Sequence, residues 1–377
     1  MKISSGAKPE LNMTFCVLSG LAIIMIVAGH VGYDILTVGG LFPYYSFHVP
    51  LFVFISGYFY REKEEDQPFA YLVKKVRRLL LPYFVWNLIY GIISWILRQN
   101  GFLMGEDISL RTLFLEPFLN GYQFIYNYAS WFVPVLFIIE MMNLLMRLIL
   151  KKMHLCYEWL ILAGSLIVGM VTVQLAIGGH VWGLYKAPGR ILFLYPCFQM
   201  GQFYYRKLEK HDTLKNLPYF GIVLGIQVLL NVCCYGLAFS SVGCASFANG
   251  PVIPYVTIVS GIAFWLRIAR ILAPLCRENK YVVYLGRNTY AVMMHHVIVF
   301  MGIKAVIAAF AAHTAYCADF DWAHFRGDID YYYMVNGSEQ FKMVYLLAGV
   351  ILPLLLQYGL DCAGRKIKAA GLQERRY

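Results

Sequence analysis

Ten apolar runs constrain what this chain can fold into. They lie near residues 14–36, 44–60, 80–97, 129–150, 157–177, 189–205, 218–238, 253–273, 284–312 and 342–362. At a rise of about 1.5 Å per residue, runs of this length can cross ~30 Å of hydrocarbon. The composition agrees: 60% of the residues are hydrophobic and 14% charged, against roughly 45–50% and about 25% in a soluble chain. No connection between the runs is long enough to bury a core of its own. Residues 1–377 therefore read as a single membrane domain, an all-α bundle of about ten transmembrane helices. The first run lacks a small-residue cleavage site and is too long for a signal sequence, so it counts as a span.

A net charge of +11 could suggest a nucleic-acid partner, so the placement of the charges matters more than their sum. Lys and Arg concentrate on alternate connections, while the intervening loops carry only Arg98, Arg111, Lys186 and Arg326. This is the positive-inside pattern, and it predicts cytoplasmic N- and C-termini. The basic tail at 365–368 and 375–376 then reads as an inner-surface anchor rather than a nucleic-acid site. The first cytoplasmic connection runs from acidic Glu62, Glu64, Glu65 and Asp66 into basic Lys74, Lys75, Arg77 and Arg78, a mixed pattern that predicts a short amphipathic helix. The nine cysteines show neither metal-ligand spacing nor a disulfide framework. Only Cys244 and Cys317 fall in predicted outer loops, where a bridge between them or two separate thiols are both open. No internal repeat is visible.

Ionisable groups inside spans are disfavoured by lipid and so are candidates for function. They are His30, Asp34, His48, Glu140, Arg190, His295, His296, Lys304 and Asp361. Helical rise places His30 about 22 Å from the inner end of the first span and His48 about 6 Å below the outer boundary in the second. The two histidines are thus expected at one depth, facing one cavity, with Trp131 and Arg190 in the same layer. An imidazole takes and returns a proton near neutral pH, which is what activating a hydroxyl requires. Glu140, with Asn143 one turn on, either orients a histidine or bonds a neighbouring helix. Ser56 and Gly57 read as a close-packing site. Outer loops near 98–128 and 313–341 combine aromatics with carboxylates, as in Asp328, Asp330, Tyr331, Tyr332 and Tyr333. They suit either sugar stacking or interfacial anchoring.

Five segments carry a resemblance: GLAIIMIVAGH at 20–30, FHVPLFVFISGYF at 47–59, RRLLLPYFVW at 77–86, SWFVPVLF at 130–137 and LGRNTYAVMMHH at 285–296. In this order, across most of the chain, they resemble the membrane-bound acyltransferase family 3. The resemblance implies a bacterial inner-membrane enzyme that moves an acyl group, commonly acetyl, from cytoplasmic coenzyme A to an acceptor such as a surface polysaccharide, lipid or small molecule. It implies His30 as the catalytic base and matches His296 to the family's late histidine. Many members carry an arginine eleven residues before the first histidine, where this chain has Ser19.

Lys74, Lys75, Arg77 and Arg78 are the expected substitutes for that arginine in holding the donor phosphates, with acetyl-CoA as acyl donor and no metal. A pantetheine arm, on the order of 20 Å long, matches the depth of His30. His30 is then expected to deprotonate the acceptor hydroxyl, with His48 or Arg190 steadying the oxyanion or orienting His30. His296, counted toward the inner half of its span, fits a donor channel better. A double displacement through an acyl-histidine is the other route. The competing readings are a transporter or flippase for a lipid-linked sugar, or a sensor domain on the same scaffold. A partner protein or homo-oligomer is left open.

Overall fold

The structure, a computed structural model, describes residues 11–32, 39–121, 124–234 and 246–374. Asp34, Cys244 and the last two arginines lie outside the described residues, and Cys317 is a buried thiol. Among the described residues the elements are helices and turns with no strand. Among the described residues eight helices are long and apolar enough to cross a membrane. They are α1 (Met13–Val31), α3 (Pro68–Gln99), α4 (Ile125–Lys152), α5 (Glu158–Ile177), α7 (Asn216–Cys233), α8 (Ile253–Cys276), α10 (Thr289–His313) and α11 (Lys342–Glu374, apolar over its first two thirds). Between them lie α2 (His48–Phe59), α6 (Lys186–Phe203) and α9 (Lys280–Arg287). The chain is a multi-pass membrane protein.

The runs over 44–60 and 189–205 differ from the other eight. The first forms a 12-residue helix behind a short turn at Tyr44–Ser46. The second is an 18-residue helix interrupted by Pro196 and carrying Lys186, Arg190, Gln199 and Gln202, all buried. Protein, rather than lipid, surrounds them: α2 and α6 pack on each other more extensively than any other pair of helices. Interior helices can be short or polar because their neighbours supply the contacts and hydrogen bonds that lipid cannot. Gly57 and Gly201 make this crossing possible. A Cβ on Gly57 would enter the Phe198 carbonyl, and one on Gly201 would enter that of Phe54. Peripheral α5 and α7 instead expose Ile167, Val171, Leu229 and Val232, as a lipid-facing surface requires.

Two apolar clusters build the bundle. One joins α2, α4, α6 and α8; the other joins α3, α10, α11 and the segment before α11; α1 contributes to both. Asn12 caps α1 by accepting from the Phe15 amide, and Gly32 closes it in a left-handed conformation, φ 64°. Gly286 of α9 meets the Cys16 backbone of α1 so closely that no Cβ would fit. That contact sets the register of α10, which follows at the break beside Asn288.

The basic connections form one face, tied by ion pairs. The expected amphipathic stretch is helical over Pro68–Lys75 and enters the rest of α3 through a π-turn at Val76–Leu80. Arg147, 1% exposed, makes a two-pronged pair with Glu158 at 2.7 Å for each nitrogen. Arg206 joins Glu158 at 2.6 Å and Glu62 at 3.0 Å. Breaking a buried pair by deleting one partner leaves an uncompensated charge, a loss of about 3–5 kcal/mol. Glu158→Ala is therefore expected to lower the thermal unfolding midpoint in nanodiscs markedly, whereas truncating the exposed Asp66–Lys151 pair should barely move it.

Candidate active site

Where the two clusters meet, a cavity of about 280 Å³ runs between α1, α2, α4 and α10. Ile23, Ile26, Gly29 and His30 of α1 form one wall; Tyr45, His48, Val49 and Phe52 form the next. Ala129, Trp131, Phe132, Val133 and Leu136 come from α4, and Thr289, Tyr290 and Met293 from the start of α10. Leu79, one residue past Arg78, also lines it. The cavity thus runs from the last turn of α1 to Leu79, in the π-turn of α3, and to the first residues of α10. Its walls are mostly apolar, with a few polar groups converging at the His30 end, the usual character of a ligand site.

His30 is half-buried on the last turn of α1. Its Nδ1 lies 2.6 Å from the Tyr128 hydroxyl, and the two rings meet edge to face at 5.0 Å. The Tyr128 hydroxyl also reaches Asp330 Oδ1, at 3.4 Å. Tyr128 stands in the 3-10 segment Ile125–Trp131 that opens α4, immediately after Asn127, whose φ of −133° departs from helical geometry. Tyr45 donates to the Gly29 carbonyl at 2.6 Å, holding the end of α1 against the chain entering α2. His48 lines the same cavity, its ring flanked by Tyr44 and Tyr45 at 6.0 and 5.7 Å.

The expected separation of His296 from His30 is corrected. Their ring centroids are 4.9 Å apart. Counting from the start of the run placed His296 in the inner half, but α10 is 25 residues long and its far end packs among residues 315–333. The midpoint of this helix is therefore not the midpoint of a bilayer, and the Gly286–Cys16 contact brings His296 level with His30. His296 is fully buried, and its Nδ1 donates to the Val292 carbonyl at 2.8 Å. A carbonyl can only accept, so the neutral ring keeps its lone pair on Nε2. Adjacent His295 turns the other way, its Nδ1 2.8 Å from the Tyr90 hydroxyl and its ring edge-on to Trp86.

Arg190 stands one ring away from where it was expected. Its guanidinium lies 4.1 Å over Trp131, a cation–π contact, and Trp131 rather than Arg190 lines the cavity. Glu140 meets Lys75 at 2.6 Å, so it joins α4 to α3 rather than orienting a histidine. Asn143 accepts from Gln199 and Gln202 of α6. Lys74 is paired with Glu64 at 2.9 Å. Of the four expected phosphate-binding cations, Lys74, Arg77 and Arg78 are exposed and Lys75 is half-buried. Ser19 donates back to the Phe15 carbonyl at 2.8 Å. Asp361 lies by the Tyr284 hydroxyl at 3.3 Å, away from the cavity.

Tyr128 is the site residue that the sequence did not single out, and Asp330 was named only among the carboxylates and aromatics of the outer loop at 313–341, not as a neighbour of His30. Partial burial and the neighbouring Asp328 push the Asp330 carboxyl above its ordinary range, with Lys304 and Tyr128 acting in the opposite sense. Among the described residues no group of three His, Cys, Asp or Glu could hold a metal ion.

A family model described as an acyltransferase domain, that of acyltransferase family 3, matches residues 17–356. The match takes in every wall of the cavity. No curated protein and no solved structure matches the chain.

Proposed function

The chain belongs to acyltransferase family 3, and from that premise we propose that it is an O-acyltransferase of the bacterial inner membrane. It takes an acyl group, acetyl in the simplest case, from a cytoplasmic coenzyme A thioester and places it on a hydroxyl of a surface glycan. The observation that carries this reading is the cavity itself: it links His30 and His48 to Leu79 beside the exposed Arg77 and Arg78. In this reading the basic face and both termini are cytoplasmic. The two arginines meet the donor's diphosphate, and its pantetheine arm follows the cavity past Thr289 and Met293 toward His30.

The transfer is direct. His30 accepts the acceptor hydroxyl's proton as its oxygen attacks the thioester carbonyl carbon. A carbon–oxygen bond forms, the carbon–sulfur bond breaks, and the electron pair leaves on sulfur. His30 then returns the proton to the thiolate, so that an O-ester and free coenzyme A thiol result. His48, on the adjoining cavity wall, is the candidate to steady the developing oxyanion. Arg190 acts at most by holding Trp131 in place. His296 belongs with His30 rather than with the donor's path.

Donor binding tests this directly. Calorimetry with acetyl-CoA and the nanodisc-embedded protein is expected to show saturable binding. Each lost charge-assisted contact is worth about 1.5–3 kcal/mol, so Arg77→Ala/Arg78→Ala should weaken binding by roughly 10²-fold or more. Lys75→Ala, which unpairs Glu140 instead, is expected to cost stability rather than affinity. Equal affinity in the wild type and the double variant would remove Arg77 and Arg78 from the donor site.

A further inference from the structure

We propose that Tyr128 and Asp330 are positioning residues that fix where His30 carries its proton, and that the segment at 328–333 is thereby part of the active site. This rests on the acyl-transfer reading above. A tyrosine hydroxyl has one proton, and here it meets two acceptors, His30 Nδ1 at 2.6 Å and Asp330 Oδ1 at 3.4 Å. A carboxylate is the stronger acceptor. Tyr128 therefore donates to Asp330, and its oxygen accepts from Nδ1–H of His30. The lone pair of His30 is then on Nε2, the atom that takes the acceptor hydroxyl's proton. When it does, the charge on the imidazolium is met through Nδ1–H by the Tyr128 oxygen and, beyond it, the Asp330 carboxylate. This is the logic of a carboxylate-oriented histidine with a tyrosine inserted. The longer of the two bonds is of the kind that tightens in the transition-state complex.

A second observation bears on Asp330 independently. Lys304, in the middle of α10, is fully buried, which is strongly disfavoured for an ammonium unless it is engaged. Its Nζ donates at 2.7 Å to the carbonyl of Ile329, the residue before Asp330, and lies 5.3 Å from the Tyr332 ring centroid. The buried lysine thus pins the backbone that carries the carboxylate. The charged and titratable groups around Asp330 are Lys304 from α10, Tyr128 from α4, and Asp328 and Tyr332 from its own segment. Asp330 is itself exposed on its other side.

Diethyl pyrocarbonate attacks unprotonated imidazole nitrogen. Its rate at His30, followed by peptide mass spectrometry on the full chain in nanodiscs, reads the placement of that proton without any acyl transfer. Tyr128→Phe keeps the ring, and Asp330→Asn keeps the side-chain shape. Each is expected to slow His30 modification by about tenfold and to lower kcat by about 10²-fold with donor KM unchanged. Asp321→Asn, which removes a carboxylate elsewhere in the same loop, should change neither. Wild-type rates of His30 modification in both variants would overturn the relay whatever the transfer assay gives. If the wild type transfers no acyl group and both variants still slow the modification, the relay stands and the acyl-transfer reading falls.

Discussion

Replacing His30 by alanine is expected to lower kcat for acyl transfer by about 10²–10⁴-fold, the range for losing a positioned general base, with donor affinity retained. Structure and chemistry separate cleanly at this residue. His30 is on the last turn of α1, half-buried, and faces a cavity, so its removal deletes no packed core. The end of α1 is held by other groups: the Gly32 cap and the Tyr45 hydroxyl on the Gly29 carbonyl. Single-turnover acyl transfer, paired with acetyl-CoA binding on the same sample, resolves the two effects. A proportional loss of binding and turnover would instead make His30 part of the donor pocket.

The largest effect on stability is expected from the α2–α6 crossing. Gly57→Val and Gly201→Val each place side-chain atoms where a backbone carbonyl of the opposite helix already lies. Backbone cannot step aside as a flexible side chain can, so the helices must separate. Overpacking of this kind loses about 1–3 kcal/mol in ordinary cores and more where the neighbour is rigid. Separation would also uncouple the Asn143–Gln199–Gln202 hydrogen bonds and shift the α2 wall that carries His48. Either variant should yield protein that inserts but aggregates on detergent extraction. Size-exclusion profiles and unfolding midpoints check this, with Ser56→Val, at a neighbouring half-buried position, as the milder comparison.

How much of this could be read in advance depends on how local each contact is. The apolar runs report lipid exposure, so the eight long spans were legible, while α6 was legible only as an apolar run because its polar residues face protein. His30 and His48 lie 18 positions apart on consecutive helices, and helical rise alone placed them at one depth. His296 needed the register between α1 and α9, set by Gly286 meeting Cys16 across the fold, which no count along one helix supplies. Tyr128 and Asp330 reach the site over sequence separations of 98 and 202 residues. Arg190 was expected in the layer of His30, and the Trp131 ring that stands between it and the cavity follows from side-chain packing, to which depth arithmetic is blind. Lys75 and Glu140 each looked functional alone; only their 2.6 Å pairing shows that they answer one another.

The most direct measurement is the fate of both halves of the donor. Purified wild-type protein in proteoliposomes would be given acetyl-CoA labelled in the acetyl group together with a hydroxyl-bearing envelope glycan fraction. The expected result is alkali-labile label on the glycan, matched one for one by released coenzyme A thiol, with both absent in His30→Ala. Saturable donor binding with neither label transfer nor thiol release, or release undiminished in His30→Ala, would contradict histidine-assisted acyl transfer in this cavity.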